Sequence, residues 1–150
     1  MKYEKRIGID IGKVIIGGGD SKDDTSFFSS GYLKTPEVTG AIDSIAALRK
    51  VFGDNMWLVS KCGEKVQQKS LEWLRSKDFT RRTGIPEERF RFTPTRAGKA
   101  PIAEELGLTH FVDDRLEILG FLPKNVMLGF CLIQKKENLK NTNIILRKLS

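Results

Sequence analysis

Histidine is almost missing from this chain of 150 residues, with His110 its one example, and there are only two cysteines, Cys62 and Cys131. The cysteines are far apart and neither belongs to a CxxC pair, so a zinc site or a disulfide framework is not expected. Both thiols are expected to be reduced and in or near the core. Long apolar runs are also lacking. The longest, Val126–Ile133, is interrupted by Gly129 and falls well short of the roughly 18 residues that a membrane-spanning helix needs. Met1-Lys2-Tyr3-Glu4-Lys5-Arg6 has no apolar segment of the kind a secretory signal carries, so a cytoplasmic location is the expectation. No repeat, heptad or low-complexity tract is present, which sets aside solenoids and coiled coils.

What is present is ordinary for a compact globular chain: 39% hydrophobic and 30% charged residues. The length predicts one domain over residues 1–150. A net charge of +7 fits an anionic partner such as a phosphate or nucleic acid without selecting one.

Apolar runs of strand length alternate with stretches of helical spacing, the pattern of βα units that feed a parallel sheet. Ile7–Ile11 is the first run, followed by Val14-Ile15-Ile16 and a loop of Gly and Asp residues that predicts a hairpin-like excursion. Ile42, Ile45, Leu48 and Val51 predict a helix between Pro36 and Gly53, with Gly53 ending it. Met56–Ser60 reads as a buried strand, Glu64–Lys77 as a helix, Thr83–Pro86 as a turn and Phe90–Phe92 as a short strand. A helix over Lys99–Leu106, stopped by Gly107, precedes the strand His110–Val112. A short helix near Leu116–Leu122, a strand Val126–Ile133 and a basic tail over 134–150 complete the expected order.

Acidic residues stand directly after two of these strands: Asp10, and the pair Asp113-Asp114. In a parallel sheet the carboxyl ends of the strands share one edge, where ligands bind. Carboxylates gathered there repel one another and lose hydration, so they need a shared proton or a cation, and a hard, oxygen-seeking Mg²⁺ suits them best. The plainer alternative is that each Asp caps a turn.

These residues resemble the motifs of the haloacid dehalogenase-like hydrolases and phosphotransferases. Ile9-Asp10-Ile11-Gly12-Lys13-Val14 is similar to the family's first motif with one change. Leu58-Val59-Ser60 is similar to the second, Lys99 within Gly98–Ile102 to the third, and Phe111-Val112-Asp113-Asp114 to the fourth, all in order over most of the chain. The resemblance implies a three-layer α/β/α, Rossmann-like, doubly wound and mainly parallel sheet. It implies that Asp10 is a nucleophile forming an aspartyl-phosphate and a Mg²⁺ ligand, and that Ser60 donates a hydrogen bond to the phosphoryl group. Lys99 would offset charge on both. Asp114 would be a direct metal ligand, Asp113 a second ligand or water holder, the Gly12 carbonyl a further ligand, and Lys61 a substrate contact beside Ser60. The plainer reading of Lys99 is an exposed lysine in a helix's first turn.

Gly12 departs from the pattern, because the family's phosphatases usually place there a second Asp that protonates the leaving group and activates water. Loss of such a group is worth about 10²–10⁴ in rate, predicting a slow or specialised enzyme unless Asp20, Asp23 or Asp24 substitutes. Glycine at this position also suits a close backbone approach or positive φ. Segment 17–38 occupies the flap position and is too short for a large cap domain. Phe27, Phe28 and Tyr32 could stack on a substrate there or simply pack beneath the flap.

Three other readings compete. Ile7–Gly12 also looks like a phosphate motif of the sugar kinase and actin fold, which needs a longer chain. The same fold could serve as a binding or regulatory module without turnover, with Gly12 as its support. A nucleic-acid-binding domain is suggested by Arg81-Arg82, Arg89–Phe92 and the basic tail, without a recognised motif. The expected substrate is a phosphorylated small molecule or a nucleic-acid end. His110 begins its strand and is expected on the opposite edge, without a catalytic part.

Overall fold

The computed structural model describes residues 4–17, 27, 30–115, 121, 122 and 126–130, with backbone alone described over 127–130. Its elements are β1 (Ile7–Ile9), α1 (Ala41–Phe52), β2 (Met56–Lys61), α2 (Glu64–Ser76), α3 (Phe79–Thr83), β3 (Phe90–Thr93), α4 (Lys99–Leu106), β4 (His110–Asp113) and β5 (Met127–Phe130), with single 3₁₀ turns at Tyr32–Lys34 and Glu87–Arg89. The strands form one all-parallel sheet in the order β3-β2-β1-β4-β5. Ile9 lies level with Leu58 on one side and with Val112 on the other.

Strand side chains alternate between the two faces, and both faces are apolar. Ile7, Ile9, Met56, Leu58, Phe90 and Val112 pack with Ile42, Ile45, Leu48 and Phe52 of α1, Trp73 and Leu74 of α2 and Phe79 of α3. Trp57, Val59 and Phe111 pack with Ala103 of α4, Leu108, Leu122 and Val126. A parallel sheet apolar on both faces has near-continuous apolar strands, which is why these segments do not alternate in sequence.

The helices follow their apolar spacing. Buried Ile42, Ile45, Leu48 and Phe52 fix the face of α1, and Gly53 at φ 58° ends it by donating its N–H to the Arg49 carbonyl at 2.8 Å. Gly8 sits where a Cβ would come within 2.6 Å of Leu108 Cδ1 and 3.1 Å of the Phe111 ring, so a side chain here would have to displace that packing. At the amino edge of the sheet, the Trp57 ring lies between the guanidinium groups of Arg6 and Arg89, 4.9 and 4.8 Å from its centroid. Arg6 Nε also donates to the Leu106 carbonyl at 2.7 Å.

Two expectations change. The first strand stops at Ile9, because the Ile11 carbonyl accepts from the N–H groups of Ile15 and Ile16 at 2.8 and 3.1 Å and folds the chain back. Val14-Ile15-Ile16 is therefore a buried turn whose apolar character comes from the core. Residues 79–83, expected to lead into a turn, form the extra helix α3, held by buried Phe79 and Thr83 one turn apart and by the Thr83 hydroxyl donating to the Phe79 carbonyl at 2.9 Å. The hairpin-like excursion is closed at its base by an antiparallel bridge between Ile16 and Glu37. Most of the excursion, the helix near Leu116–Leu122 apart from Phe121 and Leu122, the end of the last strand and the basic tail lie outside the described residues. Among the described residues no helix is long and apolar enough to cross a membrane.

Candidate metal and phosphoryl site

The chain runs outward from β1 through β2 to β3, then crosses to β4 and runs outward again to β5. The direction reverses at β1 and β4, and open α/β sheets bind ligands at the carboxyl ends of the strands on either side of such a reversal. Asp10 is the first residue beyond β1 and Asp113 the last residue of β4, with Asp114 next to it. The Asp10 N–H donates to the Val112 carbonyl at 2.9 Å, fixing its position against β4. Carboxylate oxygens of Asp10, Asp113 and Asp114 all lie within 4.8 Å of one another.

Lys99 opens α4 and is only 2% exposed. Its Nζ lies 2.7 Å from Asp113 Oδ2 and 3.2 Å from Asp10 Oδ1, so one buried cation ties β1 to β4. The plainer reading of an exposed lysine fails because Lys99 is buried and paired with both carboxylates. The loop before it is closely fitted: a Cβ on Gly98 would fall 2.0 Å from Thr93 Oγ1, while the Gly98 N–H donates to Thr95 Oγ1 at 3.1 Å. Asp113 is also held on its other oxygen, which accepts from the Arg115 N–H at 3.0 Å. This leaves Asp113 suited to orienting Lys99 and Asp114 more open, since Asp114 is half-buried.

One lysine cannot neutralise three carboxylates. Burial pushes the Asp10 carboxyl up to about 7; Lys99 opposes that rise, while Asp113 and Asp114 add to it. Asp114 is likewise raised, first by burial and then by the Asp113 charge. Oxygens opposite one another across Mg²⁺ stand about 4 Å apart, a spacing inside the 4.8 Å that bounds this cluster. An all-oxygen donor set also favours a hard cation over zinc.

Ser60 is buried near the end of β2 and exposed Lys61 ends that strand, so both reach the same lip; among the described residues neither hydrogen-bonds to Asp10 or Lys99. Gly12 is exposed, a Cβ there would meet nothing within 4 Å among the described residues, and its φ is not positive. Among the described residues, then, neither close approach nor positive φ explains the glycine. The left-handed residue is instead Lys13, at φ 59°, a conformation that costs a non-glycine residue roughly 1–2 kcal/mol. The Lys13 N–H donates to the Ile16 carbonyl at 2.7 Å, which holds it there.

Phe27 and Tyr32 meet edge to face at 6.4 Å, and Phe27 packs against the core while the Tyr32 hydroxyl donates to Glu72. Packing accounts for both; Phe28 lies outside the described residues. His110 is buried against Phe52, their ring centroids 5.1 Å apart, at the amino end of β4. Cys62 is the neighbour that sequence reasoning placed merely in or near the core. Burial raises its thiol, and so does the charge of Asp10, whereas Lys61 and Lys99 lower it, which puts the sulfur in the electrostatic field of the crevice. Its signal was its place, two residues after Ser60 at a strand's carboxyl end.

No protein-family model matches the chain, and a search of curated proteins gives no match.

Proposed function

We propose that the chain is a Mg²⁺-dependent phosphoester hydrolase or phosphotransferase working through an aspartyl-phosphate on Asp10, built on a three-layer, Rossmann-like, doubly wound sheet without a large cap domain. The observation that carries this reading is buried Lys99 bridging Asp10 and Asp113 beside Asp114 at the reversal of strand order. The order 3-2-1-4-5 is also that of the first five strands of the doubly wound dinucleotide fold. A phosphorylated small molecule or a nucleic-acid end, met in the cytoplasm, is the proposed substrate.

An Asp10 oxygen attacks phosphorus, and the bond from phosphorus to the leaving oxygen breaks with its electron pair on that oxygen. Lys99, already desolvated, holds positive charge against Asp10 and against the phosphoryl oxygens without needing to reorganise. Ser60 offers a hydroxyl to a phosphoryl oxygen, and Lys61 an exposed charge to the rest of the substrate. Water then attacks the phosphorus, the bond to Asp10 breaks, and the carboxylate is restored. Asp10, Asp114, Asp113 and the Gly12 carbonyl would hold Mg²⁺, which supplies positive charge for the transferring phosphoryl group. Asp113 does most by fixing Lys99.

A non-catalytic binding or regulatory module is the second reading, favoured by the missing side chain at Gly12. Turnover of an aryl phosphate with and without Mg²⁺ separates the two. Mg²⁺-dependent hydrolysis that Asp10→Asn abolishes is expected; Mg²⁺ binding without turnover would support the module instead.

A further inference from the structure

We infer that Thr93 and Gly98 are positioning residues for Lys99: their contact seats the first turn of α4 on the end of β3 and so sets where the Lys99 ammonium stands between Asp10 and Asp113. The inference rests on the proposed role of Lys99 and adds to it what holds that group in place.

The start of α4 does not hold itself. Glycine at its N-cap has no side chain to cap with, and Lys99 as the first helical residue puts a cation where the helix dipole disfavours one. Eight residues are also too few for a helix to be stable alone in water. Its anchor comes from the loop before it. Thr93, the last residue of β3, is buried, and its hydroxyl donates to the Thr95 carbonyl at 3.3 Å. Thr95 Oγ1 in turn accepts from the Gly98 N–H at 3.1 Å, and the Arg96 carbonyl accepts from the Lys99 N–H at 3.1 Å.

Gly98 has φ −62° and ψ −16°, an ordinary right-handed conformation open to any residue, so the backbone does not call for glycine here. A Cβ, however, would fall 2.0 Å from Thr93 Oγ1 and 3.1 Å from both Thr93 Cβ and Thr95 Oγ1. Alanine would have to part the two residues by about 1 Å, from 2.0 to the 3.0 Å that Cβ contacts hardly ever undercut. The next residue has little slack to absorb that movement. Lys99 is buried, and its Nζ is held 2.7 Å from Asp113, 3.2 Å from Asp10 and 5.6 Å from the centroid of the Phe111 ring. Thr93 also reaches β2, since its carbonyl accepts from the Cys62 N–H at 2.9 Å, two residues beyond Ser60. One residue therefore ties the Lys99 helix to the strand end that carries the proposed phosphoryl donor.

The test uses the full chain with Mg²⁺ and 4-nitrophenyl phosphate, with kcat taken per folded molecule as counted by circular dichroism at the assay temperature. Gly98→Ala should lower kcat by about 100-fold, the effect of a 1 Å misplacement, and change KM by less than about threefold, because Lys99 acts on charge that develops in the transition state. Adding Thr93→Ala to Gly98→Ala removes Oγ1 and should recover at least about tenfold of the loss, whereas adding Thr93→Val keeps an atom in that place and should recover none. Thermal unfolding without metal needs no turnover: the Tm lost on Lys99→Met should shrink by at least about half in the Gly98→Ala background, where a displaced ammonium leaves less pairing to remove. Thr95 is exposed, and Thr95→Ala, which frees the Gly98 N–H, should lower kcat by about fivefold, the scale of one hydrogen bond. If Gly98→Ala does not fold, an unchanged kcat in Thr95→Ala overturns the inference. A kcat that Gly98→Ala leaves within threefold, recovery by Thr93→Val equal to that by Thr93→Ala, or an undiminished Lys99→Met loss overturns it while Asp10-dependent turnover stands. Turnover that survives Asp10→Asn overturns the underlying reading instead, and the unfolding comparison still decides whether this pair seats Lys99.

Discussion

Asp10→Asn should stabilise the metal-free protein at alkaline pH while it abolishes turnover. Asparagine keeps the shape of the neutral carboxyl group and removes its charge. The Asp10 carboxyl rises from 3.8 to about 7 on folding, so the folded protein keeps a proton that the unfolded chain releases. Stability from this group is complete below about 4 and is lost as pH climbs through 7. At about 1.4 kcal/mol per unit, ionising Asp10 within the fold costs up to about 4 kcal/mol. The Lys99 attraction is already inside that figure. Allowing for poorer hydrogen bonding by the amide, the variant should exceed the natural protein by about 2–4 kcal/mol at pH 8, or roughly 6–12 °C in Tm. At pH 4 the difference should nearly vanish. Thermal unfolding followed by circular dichroism in a chelator, at both pH values, measures it directly. A variant less stable than the natural protein at pH 8, or an equal gap at pH 4, would refute the assignment of Asp10 as a carboxylate strained by burial. Added Mg²⁺ should stabilise the natural protein by about 2.7 kcal/mol at a hundred times Kd, seen as a higher Tm, and should stabilise the variant far less.

Lys99→Met should cost about 3–5 kcal/mol without metal, because Asp10 and Asp113 lose their shared cation, and Mg²⁺ titrated during urea unfolding should recover part of the loss. Gly12→Asp should change Tm by no more than about 0.5 kcal/mol equivalent, given the open space at its Cβ, and should raise kcat on alkyl phosphates by about 10²–10⁴. Gly8→Ala should lose about 1–3 kcal/mol in denaturant unfolding, since the new methyl must displace Leu108 or the Phe111 ring.

The elements that could be read from the sequence carry a strong internal period or a hard stop. Helix α1 has four buried residues on one face and glycine at its end, and α4 begins and ends where Lys99 and Gly107 predict. Five-residue α3 offers only Phe79 and Thr83, too few for a period, and its burial depends on α1 from elsewhere in the chain. Val14-Ile15-Ile16 is undetermined for the opposite reason: a buried turn and a buried strand have the same composition. At the site, strand ends located Asp10, Asp113 and Asp114, because parallel strands bring their carboxyl ends together. The depth of Lys99, the second bond to Asp113 and the left-handed Lys13 depend on loop geometry that no residue pattern encodes.

The stacking of Trp57 between Arg6 and Arg89 gives the sheet a fastened end far from the lip. Its two guanidinium groups embrace an uncharged ring, so their hold is indifferent to protons or ions exchanged among the aspartates. Loading and unloading the lip can therefore shift the balance of forces at one margin of the sheet while the other keeps the strands aligned.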